Sequence, residues 1–112
     1  MSAPRVELLW WDGCPSWPRA LEQLRAALAE VGLDPESVEM REVDSEEAAE
    51  GERFAGSPTI RVDGEELSPP AEGEAFGLTC RVYRLRDGRI SPTPDPEDLR
   101  DLLSRAARRT TA

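Results

Sequence analysis

The chain reads as a single α/β domain built on a central mixed β-sheet, and three observations predict it. An apolar run, Val6 to Trp11, is followed by an amphipathic helical pattern and then by a second strand-like run, Ser37 to Val43. Two short β-rich runs flank Asp63-Gly64, a dipeptide suited to the tight turn of a hairpin. The 112 residues, 38% hydrophobic and 33% charged, are enough for one core and too few for two, so residues 1–112 are taken as one domain.

The elements follow in order. Arg5 to Trp11 reads as a buried strand. From about Pro18 to Val31, Leu21, Leu24, Leu28 and Val31 recur with helical spacing, and Gly32 ends the helix. Ser37 to Val43 alternates as a half-buried strand does. Asp44 or Ser45 caps a short helix over Glu46 to Phe54, with acidic residues in the first turn, where the dipole favours them. The Glu46, Glu47, Glu50 and Glu52 run reads as a solvated face. Gly56-Ser57-Pro58 breaks this helix. Thr59 to Val62 and Glu65 to Leu67 form the hairpin. Ser68 to Gly77 is a loop, Thr79 to Leu85 is strand-like, and Asp87-Gly88 is a second turn. Asp95 caps the last helix, with Pro96 at its first position. Leu99, Leu102, Leu103 and Ala106 give that helix its core face, and fraying is expected after Arg108. The order is β-α-β-α-β-β-α, with an extra loop and strand before the last helix. The first two strands, joined through a helix, are expected to be parallel.

Composition removes several chemistries. The chain has no histidine, which excludes Ser-His-Asp and Cys-His catalysis and the commonest metal ligand. All 14 basic residues are arginine, so no lysine can form a Schiff base. Two cysteines without histidine cannot build a four-ligand zinc site of nitrogen and sulfur, and no metal site or cofactor is assigned. A net charge of −9 argues against nucleic-acid binding; Arg100, Arg105, Arg108 and Arg109 are read as complementing a helix C-terminus. No apolar run is long enough to span a bilayer, and the first residues lack a secretory apolar core. The expectation is a cytoplasmic protein that does not engage a membrane.

The stretch from Trp10 to Pro18 carries the chemistry. Cys14 lies where a strand turns into a helix, among backbone N–H groups without helical partners and near a positive dipole end. Such surroundings favour the thiolate, the reactive form. Asp12 opposes this as a nearby like charge. The balance predicts a thiol about one unit below the ordinary 8.5. A second cysteine three residues on would make a dithiol motif, but position 17 is Trp17.

This order of elements, together with Trp11-Asp12-Gly13-Cys14-Pro15 and Gly56-Ser57-Pro58-Thr59, resembles the thioredoxin-like superfamily over about Arg5 to Leu67. It also looks like small bacterial members with a single cysteine in the Cys-Pro-x-Trp turn. The resemblance implies a thioredoxin-like fold with Cys14 as nucleophile. It also implies that Pro58 is a cis-proline ahead of the third core strand and packed beside that cysteine. Trp11, Asp12, Pro15, Trp17, Ser57, Pro58 and Thr59 would then shape the site.

Whether Cys80 serves as the second thiol depends on topology. If the segment from Cys80 to Leu85 pairs antiparallel beside the fourth strand, Cys80 begins at the Cys14 end of the sheet, and a Cys14–Cys80 disulfide becomes geometrically feasible. If the segment instead pairs directly with Thr59 to Val62, Cys80 lies at the far end. The Asp-Gly hairpin favours the first arrangement. The functional expectation is a thiol-dependent redox protein acting on a thiol or disulfide substrate, small molecule or protein. The alternatives are soft-metal or metalloid binding through two thiolates and a non-catalytic interaction module.

Overall fold

The computed structural model describes residues 3–111. Among the described residues nine elements follow: β1 (Val6–Trp10), α1 (Trp17–Glu30), β2 (Val38–Glu42), α2 (Glu46–Glu52), β3 (Thr59–Val62), β4 (Glu65–Glu66), β5 (Tyr83–Arg84), β6 (Ile90–Ser91) and α3 (Pro96–Thr111). The central sheet has four strands in the order β2-β1-β3-β4. β1 and β2 are parallel, whereas β3 runs antiparallel to both β1 and β4. The sheet is therefore mixed, in a single compact α/β domain.

Alternation along β1 divides the molecule into layers. Val6 and Leu8, with Ile60 and Val62 of β3, face a core completed by Leu24 and Leu28 of α1 and by Leu99, Leu102 and Leu103 of α3. Leu9 faces the other way, into a smaller cluster with Val43, Ala49 and Phe54 beneath α2. β2 is an exposed edge: Val38 is half-buried and Met40 lies at the surface. The helical stripe of α1 is also rotated from the expected one. Ala20 and Ala27 are buried with Leu24 and Leu28, whereas Leu21 and Val31 are only partly covered.

Caps and turns follow local chemistry. The Ser45 hydroxyl accepts the Ala48 N–H at 3.0 Å, which selects it over Asp44 as the α2 cap. Asp63 and Gly64 both have positive φ, 51° and 83°, as the tight hairpin turn requires. Asp95 Oδ1 accepts the Glu97 N–H at 2.8 Å ahead of α3. That helix continues to Thr111 instead of fraying after Arg108. Arg109 reaches Asp63 at 3.8 Å, tying the last turns to the hairpin; Ala112 lies outside the described residues.

The segment before α3 departs most from expectation. Only Tyr83–Arg84 of the strand-like run forms a strand. It pairs with Ile90–Ser91 around the Asp87-Gly88 turn, in a separate two-stranded sheet. The extra strand is thus a small hairpin outside the central sheet. Among the described residues, no helix is long and apolar enough to cross a membrane.

Candidate functional site: a pair of thiols around Ser57

Cys14 lies three residues ahead of α1, in a turn closed by its N–H on the Trp11 carbonyl at 3.0 Å. The turn is tight because the Trp11 indole folds over Gly13; a Cβ there would sit 2.4 Å from the ring. Cys14 is buried, 1% exposed, and its Sγ donates to the Ser57 carbonyl at 3.4 Å. Ser57, Pro58 and Thr59 are all buried, and the Ser57-Pro58 bond is cis, as the resemblance implies.

Cys80 arrives by a route that neither sequence-based topology contains. It does not pair beside β4, nor with Thr59 to Val62. Instead it forms an isolated parallel bridge with Ser57. The Ser57 N–H donates to the Thr79 carbonyl at 2.8 Å, and the Arg81 N–H donates to the Ser57 carbonyl at 3.0 Å. One residue thus holds both cysteines: its carbonyl meets Cys14 Sγ, and its backbone carries the strap of residues 79–81. The physical reason is Gly56. Its φ is +146°, and a Cβ on it would lie 2.8 Å from Arg81 Cβ and 2.9 Å from Arg81 N. Only glycine lets the strap approach this closely.

Arg81 anchors the strap. Its guanidinium meets Glu66 and the Thr59 hydroxyl, each at 3.3 Å, and lies 4.5 Å from the centre of the Tyr83 ring. The buried Tyr83 hydroxyl donates to the Pro58 carbonyl at 2.6 Å. Burial pushes the Tyr83 phenol well above its ordinary value. Glu66 continues into a chain of alternating charges across the polar face of the sheet. It pairs with Arg61 at 3.0 Å, Arg61 with Glu52 at 3.7 Å, Glu52 with Arg41, and Arg41 with the buried Glu7 at 2.7 Å. Glu52 is therefore an ion-pair partner and not part of a solvated face. Glu46, Glu47 and Glu50 are exposed as expected, and Glu46 also accepts the Leu78 N–H at 3.2 Å.

The two thiols are electrostatically unequal. Burial alone would raise Cys14, but hydrogen bonds from Ser57, the Ser16 N–H, Cys80 and the Ser16 hydroxyl outweigh it and hold the thiol below its ordinary value. The Ser57 hydroxyl is buried and has no hydrogen-bond partner, so it is free to turn toward an ionised sulfur. Cys80 is exposed and shifts upward, through partial desolvation and the charge and hydrogen bond of Cys14. The direction expected for Cys14 holds, with named donors acting on the sulfur. Asp12 lies in the exposed turn and is not among the strongest influences.

Other sequence-derived positions are dispersed. Pro15 is exposed. Trp11 packs against the cluster beneath α2. Trp17 stacks on Trp10, with ring centres 4.4 Å apart and planes inclined by 35°, so its ring serves the α1–α3 core. Four contributors were missed: Ser16, Gly56, Arg81 and Tyr83. Ser16, at the α1 cap position, and Gly56, before Ser-Pro, were readable as local signals. Arg81 and Tyr83 depend on long-range placement. Among the described residues, no group of three or more Cys, Asp or Glu side chains is gathered to hold a metal ion. Comparison with protein-family models, with curated proteins and with solved structures finds no match for this chain.

Proposed function

We propose that this chain is a thioredoxin-like domain acting as a thiol–disulfide redox protein through Cys14 and Cys80. One observation carries the reading: Ser57 holds two cysteines distant in sequence, its carbonyl meeting Cys14 Sγ at 3.4 Å and its backbone bridging to Cys80. In support of the fold stand the parallel β1–β2 pair joined through α1, the antiparallel β3–β4 hairpin, and Cys14 between β1 and α1. Pro58, directly ahead of β3 and next to the Ser57 carbonyl that meets Cys14, adds to that support.

The reaction is a two-electron exchange. The two thiols are oxidised to one Cys14–Cys80 disulfide, and an external disulfide is reduced to two thiols. Lowering the Cys14 value raises its thiolate fraction at neutral pH, which favours its attack on sulfur. The test is to mix the reduced protein with a nitrobenzoate disulfide and count released nitrothiol. Two nitrothiols per chain, with an intramolecular disulfide left behind, support the reading. No release from the folded protein overturns it.

The same pair of sulfurs suits linear two-thiolate ligation of a soft metal. That second reading predicts tight mercuric uptake, lost with either Cys14→Ala or Cys80→Ala, without reduction of the external disulfide.

A further inference from the structure

We infer that Cys80, not Cys14, is the sulfur that meets the external disulfide, and that Cys14 resolves the resulting mixed disulfide. The inference rests on the dithiol reading above and assigns the order of its two steps, opposite to the order the resemblance implies.

Access decides the order. Attack on a disulfide needs open space beyond the attacking sulfur for the whole substrate. Cys14 has none: it is 1% exposed and lies beside the strap of residues 79–81. That strap occupies both backbone hydrogen-bonding groups of Ser57, at 2.8 and 3.0 Å. It is held from outside by Arg81 on Glu66 and on the Ser68 carbonyl, with Tyr83 on the Pro58 carbonyl just beyond. Uncovering Cys14 therefore requires several bonds to open together.

Cys80 is exposed and lies in an open groove of about 550 Å³, lined also by Pro69, Pro70, Ala75 and Val82. Val82 is 64% exposed on one side, and Glu74, Arg81 and Arg84 give the groove charged walls as well. A disulfide-bearing molecule can reach Cys80 here without any movement of the strap.

The chemistry balances in two steps. In the first, Cys80 gives its proton to water and attacks as the thiolate. The Cys80–S–S–R bond forms, the external S–S bond breaks, and RS⁻ leaves. In the second, Cys14 gives its proton to that RS⁻ and attacks Cys80 Sγ. The intramolecular disulfide forms, and a second RS⁻ departs to take a proton from water. The external disulfide is reduced by two electrons and the cysteine pair is oxidised by two.

The test compares Cys14→Ala, Cys80→Ala and the unaltered chain, each reduced and folded, against the nitrobenzoate disulfide with intact-mass detection. Cys14→Ala is expected to accumulate a stable mixed disulfide on Cys80. Cys80→Ala is expected to react about tenfold slower or more, because its remaining sulfur needs local opening. A sub-stoichiometric alkylating reagent on the unaltered folded chain should map mainly to Cys80. Full reaction of both variants in denaturant confirms that the fold sets the difference. Faster adduct formation on Cys14 than on Cys80 overturns the order while leaving the dithiol reading intact. Failure of every folded form to react overturns both.

Discussion

Replacing Gly56 with alanine puts a methyl group where the strap passes. Two effects add. The residue has φ +146°, a conformation that L side chains rarely adopt, which costs about 1–3 kcal/mol. The new Cβ would also lie 2.8 Å from Arg81 Cβ, 2.9 Å from Arg81 N and 3.2 Å from Arg81 Cα. Ordinary carbon contacts are about 3.5–4.0 Å, so the strap must retreat by about 1 Å. The Arg81 N–H bond to Ser57, at 3.0 Å, then exceeds hydrogen-bond reach, and the Thr79 partner at 2.8 Å weakens with it. Each bond is worth about 1 kcal/mol net, so losing one and weakening the other brings the total loss in Gly56→Ala to about 2–5 kcal/mol. Urea unfolding of the reduced protein measures this loss. The same variant should close its disulfide more slowly and expose Cys14 to native-state alkylation. Stability within about 0.5 kcal/mol of the parent, with unchanged disulfide closure, would refute the reasoning.

Three further outcomes follow from the same geometry. Cys80→Ala removes a donor from Cys14, so the Cys14 thiolate should titrate at higher pH by ultraviolet absorbance; an unchanged titration would deny the contact. The thiol pair also gives stability a pH profile. Below the ordinary thiol value the unfolded chain holds the Cys14 proton longer, so stability rises with pH from the lowered folded Cys14 value up to the ordinary one. Above it the folded chain holds the Cys80 proton longer, so stability falls as pH approaches the raised Cys80 value. Relative to Cys14→Ala/Cys80→Ala, the pair's contribution should therefore peak near the ordinary thiol value, measured by urea unfolding across pH. Finally, Arg41→Ala leaves Glu7, with a side chain only 6% exposed, facing Arg5 at 3.6 Å. Thermal and urea unfolding should show a loss of about 1–3 kcal/mol, below the cost of a fully buried pair because Arg41 is partly solvated.

The elements that sequence displays well are those fixed by local rules. β1, α1, the Asp63-Gly64 hairpin and the α3 core leucines each rest on a short apolar period or on one turn dipeptide, and they lie within a residue or two of expectation. The alternation of β2 predicts a half-buried strand, but as an edge strand it leaves Met40 at the surface. The strap was harder. Thr79 to Leu85 has β-rich composition, yet its partner is a backbone segment of Ser57 made accessible by an absent side chain at Gly56. No period in the strap announces such a partner. An aromatic beside a cysteine, as Trp17 is, can wall a site or fill a core, and only the position of Trp10 decides between them.

Cys14 itself was legible as a perturbed thiol because a strand-to-helix turn constrains which groups surround it. The identity of its donors was not. Ser16 is local, but Ser57 and Cys80 come from distant segments, and burial works against all three. The outcome depends on that competition.

Intact mass and peptide mapping of the purified protein after mild oxidation test the thiol pair most directly. The pairing across Ser57 predicts the loss of two hydrogens, with a single cross-link mapped between the Cys14 and Cys80 peptides at low protein concentration. Two free thiols after oxidation, or cross-links formed only between chains, would contradict it.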